Sequence, residues 1–317
     1  MILVILHGIL IIALLFSIIT YHNQNTISRF LFTYIPNKII NLFPDNLKNQ
    51  PISSLIGKNG PFKHVFIFIY YITYHFIMII FFITVFPNFK FILQNPEFHF
   101  IFTFIIMLIP WIIVLLFQFI DPGIINSKNV DDYLKHYPYD NVIYHPGKCS
   151  KLLIPSVPRS RYCIFTKKRI ARYDHYCPWL LQPIGERNTS LYLLFLISNF
   201  MLLSYLFVIC IKYLQWKSRL SLHLINSFNN IVSIIDLLYQ QESRVVQLSI
   251  TFLILSITLL LIIFKQFYLI SKNITSSEVY LYKEEQIKNA QPIKNIYDRG
   301  LLFNWFQIIF FHLWYYF

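Results

Sequence analysis

Charged side chains are scarce in this chain: they make up 13% of its 317 residues, against about 25% in an ordinary soluble domain. That is too few to cover a water-soluble globule, and the 56% hydrophobic content points to a membrane protein. Acids are the scarcer sign, 14 Asp and Glu against 27 Lys and Arg, for a net charge of +13. A nucleic-acid binder is one explanation for such a balance. Here, however, the cations fall between apolar runs, where orientation in a bilayer wants them. Cysteine is sparse as well. Cys149, Cys163, Cys177 and Cys210 are too few and too unevenly placed for a secreted disulfide scaffold, and a reducing, cytosol-facing setting fits them better. The chain also lacks internal repeats and low-complexity tracts.

What it does have is long apolar runs. A spanning helix needs about 20 mostly apolar residues, and five stretches qualify, approximately 1–21, 63–86, 98–120, 190–214 and 245–270. The first has no Lys or Arg before its apolar core and no small-x-small cleavage pattern after it, so it reads as a retained anchor rather than a cleaved signal peptide. Short cytoplasmic loops are enriched in Lys and Arg. The loop 22–62 carries Arg29, Lys38, Lys48 and Lys58 against Asp45 and reads as cytoplasmic, whereas 87–97, with Lys90 and Glu97, reads as lumenal. Alternation returns the basic stretch 121–189 to the cytoplasm, the nearly balanced 215–244 to the lumen, and the tail to the cytoplasm. The expected fold is an all-α polytopic membrane protein, a four-span core plus an extra N-terminal span, with an irregular cytoplasmic domain between spans 3 and 4. The domains are then an anchor (1–21), a cytoplasmic loop (22–62), spans 2 and 3 (63–120), a cytoplasmic catalytic domain (121–189), spans 4 and 5 (190–270) and a cytoplasmic tail (271–317). The tail's last stretch, 301–317, is aromatic but interrupted by Asn304 and Gln307, which favours an interfacial or docked segment over a sixth span.

The cytoplasmic loop holds the chemistry. In Arg172-Tyr173-Asp174-His175-Tyr176-Cys177-Pro178-Trp179 an acid, an imidazole and a thiol fall within four residues. That is a nucleophile, a base and an orienting group. Thiolate is the reactive form of cysteine, and a neighbouring imidazole or cationic surroundings favour it. His175 would take the thiol proton and later return one to the leaving group, with Asp174 fixing its tautomer. A Cys near a His is by itself more often an interior residue than a catalyst. Its position about a dozen residues before a spanning run puts Cys177 at the membrane face, where a lipid thioester would present its carbon.

This run resembles the cysteine-rich domain of the DHHC protein S-acyltransferases, or palmitoyltransferases, in a degenerate DHYC form. The family signature Asp-His-His-Cys-x-Trp, then Ile-Gly-x-x-Asn, stands here as Asp174-His175-Tyr176-Cys177-Pro178-Trp179 and Ile184-Gly185-Glu186-Arg187-Asn188. Cys149, Pro155, Arg159, Ser160, Arg161 and Cys163 match the part before it. Flanking motifs extend the likeness: Asp121-Pro122-Gly123 after the third span, Thr275-Ser276-Ser277-Glu278 after the last, and Tyr297-Asp298-Arg299-Gly300 with Asn304 near the end. Singly these are bland, since Asp-Pro-Gly is an ordinary turn and Thr-Ser-Ser-Glu an ordinary capping box.

The resemblance implies an acyl-enzyme at Cys177, with acyl-CoA as co-substrate and membrane-anchored proteins such as SNAREs as acceptors. It also implies two structural zinc ions, whose ligand positions correspond here to Cys149, Leu152, Tyr162 and Arg169, and to Cys163, Thr166, Tyr176 and Pro183. One cysteine survives in each set, whereas structural zinc takes four N or S ligands. The expectation is no bound zinc and no other cofactor, with packing of Leu152, Tyr162, Tyr176 and Pro183 holding the loop instead. Lys167, Lys168 and Arg172 are candidates for the CoA phosphates, or else serve orientation and anionic lipid. The extra anchor and the Asp-Pro-Gly-Ile-Ile turn resemble the fungal endoplasmic-reticulum subfamily, which implies an endoplasmic-reticulum membrane, with Golgi or another endomembrane as the alternative. The rival reading is a non-catalytic membrane scaffold that kept the fold. Retention of Asp174, His175 and Cys177 together argues against it.

Overall fold

The structure is a computed structural model that describes residues 65–224, 231–289 and 293–310; the expected span 1–21 and loop 22–62 lie outside them. In hydrocarbon every backbone N–H and C=O must find a partner within the chain, so apolar runs of this length become helices even when rich in β-branched Ile. Four helices are long and apolar enough to cross a membrane, over Tyr71–Ile92, Pro96–Phe117, Thr189–Leu220 and Gln240–Ser271. They belong to α1 (Val65–Thr84) with the short helix α2 (Phe89–Ile92), α3 (Pro96–Phe117), α5 (Thr189–Leu224) and α6 (Ile231–Ser271). Much of their apolar surface faces outward, with Ile83 and Leu261 each more than half exposed, as lipid contact requires.

The helices differ from the expected spans mainly at their ends. The segment 87–97, read as a loop, is largely helical, a 3-10 turn over Phe86–Asn88 running into α2. The segment 215–244 contains no Gly or Pro. Nothing in it stops a helix, and α5 continues to Leu224 while α6 already begins at Ile231. A break comes at Glu242, whose φ of −123° and ψ of 35° interrupt α6.

The chain divides into two compact units. The first contains, among the described residues, Phe68–Pro110 and Ser198–Leu260. Its core is Phe81, Leu202, Leu206, Ile209, Leu248 and Phe252, all nearly inaccessible, with Phe81 and Phe252 edge to face at 6.4 Å. The second contains Trp111–Ile197 and the described part of Leu261–Phe317. Within it the polypeptide between α3 and α5 forms α4 (Val130–His136) and two small antiparallel sheets. One has the order β1 (Ile124–Ile125), β3 (Lys168–Ile170), β2 (Arg161–Cys163), and the other pairs β4 (His175–Cys177) with β5 (Gln182–Ile184). After α6 follow α7 (Ser276–Asn289) and α8 (Leu301–Ile309). The described tail helix α8 has nine residues, about 14 Å, too short to span. It docks through Asn304, which donates to the Ser271 carbonyl at 2.8 Å.

Candidate active site

The site lies wholly within the second unit. Strand β4 carries His175 and Cys177 on alternate residues, so both side chains leave the same face. Asp174 immediately precedes the strand, and its backbone N–H donates to the Ile184 carbonyl at 2.8 Å. The β4–β5 hairpin registers His175 opposite Ile184 and Cys177 opposite Gln182. Beneath it, Gly185 passes where a Cβ would come within 2.5 Å of both the Ile170 side chain and the Pro122 carbonyl. No larger residue fits there. Asn188 ties off the hairpin, accepting from the Gly185 N–H at 2.8 Å and donating to the Pro183 carbonyl at 3.0 Å.

His175 Nδ1 bonds Asp174 Oδ2 at 2.8 Å, and Cys177 stands two residues on, on the same face of β4. Burial works to depress the His175 pKa, but the Asp174 carboxylate bonded to it and the neighbouring Cys177 outweigh that and raise it to about 9. Burial pushes the Asp174 carboxyl the other way, and the His175 partner together with the Ser276 N–H holds it down at about 2. The three expected catalytic residues are therefore assembled as acid, imidazole and thiol in sequence, with Asp174 and Cys177 buried and His175 partly open.

Several supporting residues come from far along the chain. Asp174 Oδ1 accepts the backbone N–H of Ser276 at 2.5 Å, at the start of α7, and its other oxygen lies 3.5 Å from Gln266 Nε2 on α6. The Tyr192 ring, one turn into α5, meets His175 edge-on at 5.1 Å. Arg159 is fully buried and grips Glu278 with two bonds, Nε to Oε1 at 2.7 Å and Nη2 to Oε2 at 2.8 Å. It also reaches Asn273 Oδ1 at 2.9 Å. None of Ser276, Gln266, Tyr192 or Asn273 was singled out by sequence for a role here; the nearest signal was the Thr275 to Glu278 motif around one of them.

The flanking motif residues serve as braces. Asp121 Oδ1 accepts from the Gly123 and Ile124 N–H groups at 3.0 and 2.9 Å, closing the turn after α3. Pro122 and Gly123 present carbonyls to the Arg187 and Ala171 N–H groups, with Gly123 at a φ of +103°. Trp179 is half-buried in the turn between β4 and β5. Asn304 Oδ1 accepts the Arg299 N–H at 3.1 Å.

Arg172 departs from expectation. It is 3% exposed and donates to Asn273 Oδ1 at 3.1 Å, so it is an interior cation and is not placed to meet a phosphate in solvent. Lys167 and Lys168 are exposed.

The donor sets that the resemblance implies do not fit zinc. At the first, Leu152 offers no donor and Arg169 brings a positive charge. At the second, the Tyr176 ring stacks on Phe165 at 4.3 Å and 18°, and Pro183 offers no side-chain donor. Among the described residues no three His, Cys, Asp or Glu side chains converge on one point. Of the residues expected to hold the loop by packing, Tyr176 stacks on Phe165 and Pro183 is buried, and polar bonds such as those of Asn188 brace the site besides.

A family model described as DHHC palmitoyltransferase matches residues 143–283. The chain is similar to palmitoyltransferase swf1 of Schizosaccharomyces pombe, 24% identical over 241 residues that cover 64% of this chain and 65% of the relative. It is similar to palmitoyltransferase SWF1 of Neurospora crassa, 29% identical over 183 residues, 56% of this chain and 41% of the relative. A probable protein S-acyltransferase 3 of Arabidopsis thaliana is 30% identical over 163 residues, 51% of this chain and 34% of the relative. These alignments thus span less than two thirds of each relative's own length. With the four long apolar helices, the match makes this an integral, multi-pass membrane protein. On the matched stretch 143–283 and these relatives, the chain is similar to the DHHC palmitoyltransferase family.

Proposed function

We propose that this protein is a protein S-acyltransferase that moves a long-chain acyl group, palmitoyl foremost, from acyl-CoA to membrane-proximal cysteines of other proteins through an acyl-enzyme at Cys177. The observation that carries this reading is the 2.8 Å bond from Asp174 to His175 with Cys177 on the same face of the same strand. Because Asp174 takes Nδ1, Nε2 is left to face the thiol.

The chemistry follows from that order. His175 Nε2 takes the proton of Cys177, and the sulfur attacks the thioester carbon of acyl-CoA. A new carbon–sulfur bond forms, the bond to CoA breaks, and His175 returns the proton to the departing CoA thiolate. In the second half the acceptor's thiol gives its proton to His175 and attacks the acyl-Cys177 carbon, restoring the free Cys177 thiol after proton return. Asp174, held ionised, keeps the imidazole oriented and stabilises its charged form. Lys167 and Lys168 are the exposed cations offered to the CoA phosphates. The acyl chain lies among the spanning helices.

The acceptors are membrane-anchored proteins such as SNAREs, and the site of action is the endoplasmic-reticulum membrane. The resemblance to the fungal endoplasmic-reticulum subfamily, through the Asp121-Pro122-Gly123 turn, supports this narrower assignment. Incubating the purified protein with a clickable palmitoyl-CoA tests the reaction. Label should appear on the chain, leave with hydroxylamine and be absent from Cys177→Ser. Undiminished label in that variant would overturn the mechanism.

A further inference from the structure

Arg169 stands where the family resemblance places a zinc-binding cysteine, and its surroundings are those of a bound cation. It is 8% exposed and sits on β3, the central strand of its sheet, opposite Tyr162 on one side and Ile125 on the other. Nε donates to Ser160 Oγ at 2.7 Å. Nη2 donates to Ser156 Oγ at 2.7 Å and to the Ser160 carbonyl at 3.2 Å. Cys149, the one cysteine left in that set, is buried nearby. The turn that bears Cys149 is itself closed by backbone bonds, Cys149 N–H to the Ile154 carbonyl and Ser156 N–H to the Gly147 carbonyl, both 2.8 Å.

We infer that the Arg169 guanidinium is the resident cation of the first ligand set, and that it closes the loop from Cys149 to Arg169 in place of a metal ion. A guanidinium presents five N–H donors in a fixed plane and stays charged throughout the accessible pH range. It asks for oxygen and sulfur acceptors from converging chain segments, as zinc would ask for thiolates and imidazoles, and it requires no deprotonated thiols. Ser156 and Ser160 supply those acceptors. The Ser160 hydroxyl in turn donates to the Val157 carbonyl, so the turn 156–160 is fixed as one piece.

That turn is connected to the catalytic strand. Next to Ser160 is Arg159, held at a φ of +60°. Its carbonyl accepts the Tyr173 N–H at 3.0 Å, one residue before Asp174. Arg169 is thus a positioning residue: it fixes the turn whose backbone sets where β4 begins.

The test uses the full-length, detergent-purified protein and does not depend on transferase activity. Metal content and thermal melting with and without a strong chelator are measured on the unaltered chain, on Arg169→Gln and Arg169→Lys, and on a triple variant Leu152→Cys, Tyr162→His, Arg169→Cys. The unaltered chain should carry far less than one zinc and melt identically with chelator. Arg169→Gln should melt at least about 5 °C lower, and Arg169→Lys should not rescue it, because an ammonium lacks the planar fork. The triple variant gains, with Cys149, four N or S donors. It should take up one zinc and melt lower once the chelator is added. Near-stoichiometric zinc in the unaltered chain, a chelator-sensitive melt of that chain, unchanged melting of Arg169→Gln, rescue by Lys, or failure of the triple variant to bind zinc would each overturn the inference. Loss of palmitoyl labelling with these results intact would bear on the proposed reaction alone.

Discussion

Replacing Glu278 with Gln changes one charge and almost no volume, and the structure says what that charge supports. The Glu278 carboxylate accepts four hydrogen bonds: from Arg159 Nε and Nη2, from Tyr144 at 3.0 Å and from the Thr275 N–H at 2.7 Å. Both it and Arg159 are 1% exposed. Burial works against the ionised carboxyl, yet the adjacent guanidinium holds it below its usual range. Its stabilising contribution is therefore present above the ordinary carboxylate range and is lost as pH falls through the lowered value. Gln can still receive the Thr275 N–H, since capping boxes accept Gln, so the substitution isolates the ion pair from the cap. Stranding a buried cation typically costs about 3–5 kcal/mol, and for a chain of this size the melting temperature should fall on the order of 10 °C. Autoacylation should fall as well, because α7 also holds Asp174. The double variant Arg159→Met, Glu278→Met should recover part of the loss in melting, since a buried pair often trades evenly with apolar side chains. A Gln variant melting within about 2 °C of the unaltered protein would refute the reasoning.

Cys177→Ser should abolish the hydroxylamine-sensitive label, whereas Cys210→Ser, at a fully buried position of α5, should leave it in place; persistence of label in the first or its loss in the second by gel fluorescence decides. For His175 the folded pKa of about 9 lies above the ordinary 6.5, so its pairing stabilises fully below about 6.5 and that support is lost as pH rises through about 9. His175→Ala should slow acyl-enzyme formation by about a hundredfold and move its rise to the region of a free thiol near ~8.5; an unchanged pH profile would make His175 structural. Tyr176→Ala removes the stack on Phe165 and should cost about 1–2 kcal/mol, read as a lower melting temperature, with Tyr176→Phe close to neutral.

The four described spans and the cluster of Asp174, His175 and Cys177 are legible because each is a local pattern. An apolar run can be counted against the bilayer's thickness, and Asp174, His175 and Cys177 stand within one short strand and its entry. The helix ends were less legible. From 215 to 244 the sequence turns polar, which ends a span, but it supplies no breaker, so the helices run on. Arg172 was misplaced for a related reason. Cations are seldom fully buried unless paired, and its partner Asn273 stands 101 residues away, where no local pattern connects them. The bond from Arg159 to Glu278 spans 119 residues and is invisible in the same way, although both residues belong to motifs that sequence had marked. In the sequence Arg169 is legible only as a missing ligand; that its charge replaces something appears only once Ser156 and Ser160 surround it.

The Thr275-Ser276-Ser277-Glu278 motif shows why a bland local reading and a catalytic one need not compete. As a capping box it behaves ordinarily: the Glu278 N–H meets Thr275 Oγ1 at 3.3 Å and the Thr275 N–H meets the Glu278 carboxylate. A capping box satisfies the N–H groups of the cap and of the third helical residue, and so leaves the first helical N–H, that of Ser276, without a partner inside the helix. That N–H is the one Asp174 takes. The carboxylate therefore sits at the positive end of the α7 dipole, ionised and fixed, with its second oxygen turned to His175. Glu278, pinned in turn by Arg159, sets the orientation of this helix end. The cap is thus the geometric condition for the Asp174 carboxylate, and a change that loosens α7 should be read first in the imidazole that Asp174 orients.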